Sequence, residues 1–110
     1  MRMKSGGNEI NDLNWSLYMI RCHDDSIYTG ITNDLLRRMM THFSGGAQSA
    51  KYIKAKKPKD LIYTIALRDK SIASQLEYRV KKLPKQKKEA LVRGERSLYE
   101  LLPDFAFECI

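Results

Sequence analysis

Cysteine is scarce in this chain of 110 residues, and the two present, Cys22 and Cys109, lie far apart with no C-x-x-C spacing. A disulfide framework is therefore not indicated. With histidine limited to His23 and His42, neither is a zinc site. Cys22 falls inside an apolar run, where a buried thiol is expected, and a reducing cytoplasm is the expected compartment. No stretch approaches the roughly 18 continuous apolar residues of a membrane span. Acidic residues are also short, 13 against 20 Lys and Arg, for a net charge of +7. Such an excess attracts polyanions, which means nucleic acid or an anionic membrane surface.

No internal repeat is present. Hydrophobic residues at 43% and charged residues at 30% fit an ordinary globular domain. Met1 to Asn14 is polar, carries Gly6 and Gly7, and reads as a flexible arm. One domain over 15–102 follows, then a short tail over 103–110. Trp15 to Cys22 has the apolar and aromatic character of a buried strand. The turn residues His23 to Ser26 lead into a second strand over Ile27 to Ile31, giving a β-hairpin. Thr32 or Asn33 is expected to cap a helix carrying Leu35, Leu36, Met39, Met40 and Phe43, with Gly45 and Gly46 ending it. Ala47 to Asp60 reads as a basic loop. Leu61 to Leu67 reads as a third strand, and Ser71 as the cap of a second helix with an apolar stripe of Ile72, Leu76, Val80 and Leu83. Pro84 is placed to open a third helix running to about Gly94, and a short final helix covers about Ser97 to Leu102. The order ββαβαα predicts an α+β domain, a three-stranded antiparallel sheet flanked by helices.

Several residues able to do chemistry recur along this order. Tyr18 lies on the first strand, and Tyr28-Thr29-Gly30 on the second. Arg38 and His42 are four apart on one helix face, and Glu77 borders the apolar stripe of the second helix. In a tight hairpin Tyr18 and Tyr28 are close to cross-strand partners. Gly30 allows another backbone or a ligand to approach. Two phenols, a guanidinium, an imidazole and a carboxylate suit phosphodiester hydrolysis: the carboxylate holds a hard cation, the arginine offsets phosphate charge, and a tyrosine or histidine handles the proton. Each also has an ordinary reading. Tyr18 would be a core aromatic, Arg38 a solvated charge, His42 a cation at a helix C-terminus, and Glu77 a partner of Lys81.

The ordered set resembles the GIY-YIG nuclease family. Ser16-Leu17-Tyr18 matches the GIY element and Tyr28-Thr29-Gly30 the YIG element. Gly30 to His42 is similar to the family's G-x-T-x-D-L-x-x-R-x-x-x-H stretch, and Glu77 follows the third strand, where the family places its metal-binding glutamate. The likeness spans Ser16 to Leu83 and is nearest in size to the small single-domain bacterial members of YhbQ-like type. It implies that Tyr18 and Tyr28 orient and deprotonate the attacking water, one as base and the other in support. It further implies that Arg38 clamps the scissile phosphate, that His42 relays a proton, and that Glu77 holds one magnesium or manganese ion. Ser16 replaces the first glycine of GIY, Phe43 stands where relatives often carry asparagine, and Gly46 to Tyr52 matches the G-A-K-Y-T motif loosely, best at Ala50-Lys51-Tyr52.

Lysines crowd the flanks. Lys51, Lys54, Lys56, Lys57 and Lys59 share the basic loop, where Tyr52 is able to stack on an unpaired base. Lys81, Lys82, Lys85, Lys87 and Lys88 share the second and third helices. Such lysines give salt-sensitive, sequence-independent binding to phosphates. The expectation is a monomeric divalent-metal-dependent endonuclease acting on DNA, with RNA as the alternative substrate, selecting single-stranded, branched or damaged structure over sequence. Its rivals are an inactive nucleic-acid binding module on the same scaffold and a plain partner-binding domain.

Overall fold

The computed structural model describes residues 13–46 and 49–105. Most of the expected N-terminal arm, and the tail beyond Phe105, lie outside the described residues. A three-stranded antiparallel sheet forms from β1 (Trp15–Cys22), β2 (Ile27–Thr32) and β3 (Pro58–Leu67), in the order β2-β1-β3. Helices α1 (Leu35–Ser44) and α2 (Lys51–Lys56) intervene before β3, and α3 (Lys70–Lys81), α4 (Lys85–Val92) and α5 (Leu98–Leu101) follow it.

The apolar run of β1 makes it the central strand, covered on both faces. Alternation along the strand sends Leu17 and Met19 to one side, where Ala73, Leu76 and Val80 of α3, Leu91 of α4 and Leu98 of α5 complete a core. Tyr18 and Ile20 face the other side, with Cys22 and Ile53 of α2. Leu35 and Met39 of α1 pack there, whereas Leu36, Met40 and Phe43 are exposed, so α1 gives the core two of the five apolar residues expected of it. Cys22 is buried with a free thiol.

The basic loop expected over Ala47 to Asp60 instead contains α2, anchored by buried Ile53, and the start of β3. The third strand begins at Pro58 rather than Leu61. Proline is tolerated there because β3 is an edge strand and Pro58 its first residue. The caps also differ from expectation. Asp34 caps α1 by accepting from the Arg37 N–H, while Thr32 Oγ1 accepts from the Asp34 N–H. Asp69, not Ser71, caps α3 by accepting from the Ile72 N–H. In both cases a carboxylate three residues before the donating amide takes the place of the expected cap, Thr32 or Asn33 for α1 and Ser71 for α3. Gly45 closes α1 in the left-handed conformation at φ 72°. Helix α4 is pinned to the sheet by Arg21 of β1, whose guanidinium forks onto Glu89, with Nη2 2.7 Å from Oε1.

The hairpin register pairs Tyr18 with Gly30 and Ile20 with Tyr28. The two tyrosines thus share a face as diagonal neighbours rather than direct partners. A Cβ at Gly30 would stand 2.5 Å from the Tyr18 Oη and 2.7 Å from its Cζ. The clearance that this glycine offers is taken by the Tyr18 ring, so the glycine seats a tyrosine. Gly30→Ala is expected to cost about 2 kcal/mol, the usual range for overpacking, measured by urea unfolding; an unchanged midpoint would show that the ring is free to move aside.

Candidate active site

The hairpin and α1 bring three rings together. His42, fully buried at 0% exposure, comes from the last turn of α1. Its ring centroid lies 5.7 Å from that of Tyr18 and 5.6 Å from that of Tyr28, and the two tyrosine centroids are 6.2 Å apart. Tyr52 of α2 extends the row, stacking on Tyr28 at 5.7 Å with 29° between planes. The His42 Nε2 is 2.8 Å from the Tyr18 Oη, and its Nδ1 is 3.2 Å from the Oγ of buried Ser49.

The protonation states follow from burial. Desolvation pushes the Tyr18 phenol up to about 12; Arg38, which hydrogen-bonds it, opposes the rise, and Tyr28 adds to it. Desolvation and then the positive charge of Arg38 push His42 down to about 4. At neutral pH both rings are uncharged. The arrangement that satisfies both is Tyr18 O–H donating to His42 Nε2, with the Nδ1–H donating to Ser49 Oγ. A cationic His42 serving the α1 dipole is thereby overturned, because desolvation outweighs the tenths of a kcal/mol such a charge contributes at a helix end. Arg38, one turn before His42, also lines a polar cleft of about 380 Å³ with Thr32, Asn33, Asp34, Arg37 and Thr41.

Glu77 stands apart from this cluster. It is half-buried on α3 and pairs with Lys81 at 3.2 Å. Lys81 in turn lines a second cleft, of about 280 Å³, with Ile27, Tyr28, Thr29, Tyr52 and Lys88. The carboxylate is thus linked to the cleft of Tyr28 through one ion pair. Among the described residues no three His, Cys, Asp or Glu side chains gather as a metal cage. A single hard carboxylate oxygen does fit magnesium, which takes one or two carboxylates and completes its octahedron with water and substrate phosphate. Glu77 can be one such ligand.

The loop lysines separate on inspection. Lys51, Lys54 and Lys57 are exposed. Lys56 pairs with Asp24 at 2.8 Å and lies 5.9 Å from the Tyr52 ring centroid, so part of its charge is already matched. Ser49 had no signal in the sequence, being one polar residue in a polar segment. Thr29 was legible only as strand sequence, and its buried Oγ1 has no hydrogen-bond partner among the described residues.

Because the fold holds His42 neutral, acid should destabilise it. The folded pKa lies below the ordinary 6.5, so the stability is present above pH 6.5 and is lost as pH falls toward the folded value. About 2 kcal/mol should disappear by about pH 5. Carboxylates with lowered pKa values, such as Asp24 and Glu89, act at lower pH. Chemical unfolding of the wild type and His42→Gln at both pH values checks this; equal losses in the two proteins would contradict it.

These features were compared with known proteins. A family model of the GIY-YIG catalytic domain matches residues 14–90. The UPF0213 protein YhbQ of Escherichia coli strain K12 is 43% identical over 88 residues, covering 80% of this chain and 86% of that protein. A UPF0213 protein of Vibrio cholerae is 41% identical over 88 residues, with 79% and 85% covered. The solution NMR structure of the UPF0213 protein BH0048 from Bacillus halodurans is 41% identical, covers 78% of this chain and 89% of that one, and superposes with a TM-score of 0.48. The family match takes in the strand tyrosines, Arg38 and His42 of α1, and Glu77 of α3. By that match and these identities, the chain belongs to the GIY-YIG family of nucleases.

Proposed function

We propose that this protein is a divalent-metal-dependent endonuclease that hydrolyses phosphodiester bonds of DNA and selects structure over sequence. The observation that carries the reading is the Tyr18–His42 hydrogen bond at 2.8 Å, with Arg38 beside it and Tyr28 opening onto a cleft. Hydrolysis forms a bond from water oxygen to phosphorus and breaks one to the leaving alkoxide. It needs a base for the water and positive charge at the phosphoryl group. The two tyrosines divide this work. Tyr18 is buried and stays protonated, so it positions; Tyr28 is half-exposed and lines the cleft, so it takes the water proton. Arg38 offsets charge on the phosphate oxygens. His42, neutral between Tyr18 and Ser49, fixes the Tyr18 hydroxyl and offers a route for its proton. Glu77 would hold the divalent ion, and magnesium or manganese, when bound, supplies charge at the leaving oxygen. Lysines around the clefts would meet phosphates rather than base edges, which supports weak sequence preference.

One observation favours a rival. Glu77 already has Lys81 as a partner, as in a scaffold that binds nucleic acid without cutting it. Plasmid nicking with and without magnesium separates the two. The endonuclease reading expects nicking that falls at least about 100-fold in Glu77→Ala, the scale of losing one charge-stabilising group, while DNA binding persists. No nicking by the wild type would leave the rival standing.

A tyrosine base also sets the pH response. A phenol takes a proton only in its ionised form, and the ionised fraction grows with pH. The cleavage rate should therefore rise from about pH 6 to about pH 9, measured under single-turnover conditions. A flat profile would remove Tyr28 from that role.

A further inference from the structure

Of the five lysines crowding the end of α3 and the start of α4, two are engaged elsewhere. Lys82 lies 4.6 Å from the Tyr78 ring centroid, and Lys85 donates to the Asp25 carbonyl at 2.8 Å. Lys81 and Lys88 differ, because both line the cleft of Tyr28, Thr29 and Tyr52. Lys88 is half-buried, and its side chain makes no ion pair among the described residues. Its position is not left to a flexible segment, since the next residue, Glu89, is held by the Arg21 fork. Lys81 is exposed and pairs with Glu77 at 3.2 Å, whereas Lys88 beside it on the same wall is half-buried, so the positive charge left there is screened by water less than on open surface. Burial first, and Lys81 second, hold the Lys88 ammonium below the ordinary lysine range. An anion between them relieves both costs.

A second, independent observation points the same way. Thr29 also lines this cleft, is 3% exposed, and has no hydrogen-bond partner for its Oγ1 among the described residues. An isosteric valine would avoid that cost, which for a buried unpaired polar group is about 1–3 kcal/mol. A hydroxyl in such a place is kept at the expense of stability. At about 30 Å³ per liquid water, the cleft of about 280 Å³ has room for a solvated anion.

We infer that Thr29, Lys81 and Lys88 form a subsite for a backbone phosphodiester of the nucleic-acid substrate, next to the phosphate that Arg38 and Tyr28 address. The inference rests on the nuclease reading for which phosphate is cut, but not for whether this one is bound. Tyr52, stacked on Tyr28 at the rim, places an exposed aromatic face beside the subsite, where an adjoining unpaired base can stack. The subsite would set how the strand lies across the row of rings.

The test is fluorescence anisotropy of a fluorescein-labelled single-stranded DNA of about 15 nucleotides, with full-length protein and EDTA, from about 20 to about 200 mM NaCl. Lys88→Met should weaken binding about tenfold at low salt and lower the slope of log Kd against log salt by about one, as for one lost phosphate contact. Lys70→Met removes the same charge from the exposed start of α3, at the opposite end of that helix from Lys81, and should change affinity less than about twofold. Equal effects of the two substitutions would overturn the subsite, leaving general attraction alone. Thr29→Val should weaken binding while raising the melting temperature; higher stability with unchanged affinity would remove the hydroxyl from the site. If the wild type does not nick DNA yet Lys88→Met behaves as described, the nuclease reading fails and the subsite stands. If the wild type nicks and Lys88→Met matches Lys70→Met, the reverse holds.

Discussion

Between β1 and α1 a phenol and an imidazole meet where water is excluded, and the arrangement around them depends on that meeting. The Tyr18 ring is seated because its cross-strand partner is a glycine. His42 reaches it because only two residues separate β2 from α1 and the last turn of the helix buries this side chain. Desolvation acts on the two groups in opposite directions of pKa but with one outcome: both become neutral. A neutral pair joined by one hydrogen bond can be buried without a counterion. An ionised pair at the same depth would need further partners to offset several kcal/mol of lost hydration per ion. Arg38 then supplies fixed positive charge at the edge of an uncharged cluster, which is the polarity a phosphate requires.

Much of this was legible in the residues themselves. The central strand was visible as an apolar run, the helix start as a polar cluster followed by apolar residues at helical spacing, and Arg38 and His42 as a pair four apart. Other features depend on tertiary packing and leave no local trace. Helix α2 is six residues long with one buried anchor, Ile53, too little for a periodic pattern. The register that made Tyr18 and Tyr28 diagonal neighbours follows from the four residues between β1 and β2, a turn length that several hairpin geometries accept. Ser49 finds His42 across seven positions that include a helix end. The resemblance of motifs named candidate reacting groups but did not say which tyrosine is buried, and the separate tasks proposed for the two rest on that difference.

The lysines illustrate how little composition reveals without packing. Ten were clustered in two stretches, and the structure sorts them by what they touch. Lys56 leans on Asp24, Lys82 on Tyr78, and Lys85 on the hairpin turn. Lys88 is drawn into a partly buried wall because its neighbour Glu89 is clamped to β1. Its orientation is therefore a by-product of an ion pair made on behalf of the fold. A stabilising contact and a proposed binding contact are adjacent residues of one helix.

The spacing of these contacts along the chain affects the order of assembly. Tyr18 and His42 are separated by 24 positions, whereas Arg21 and Glu89 are separated by 68. Closing the longer loop costs about 1 kcal/mol more in chain entropy. The hairpin and α1 thus form a local unit whose rings can meet early. The helices bearing Glu77 and Lys88 must be drawn in from a distance, and non-local contacts of that kind slow folding. A nascent chain would hold its paired rings before it acquires the acidic and basic groups that complete the machinery, which delays any hydrolytic competence until the last helices have docked.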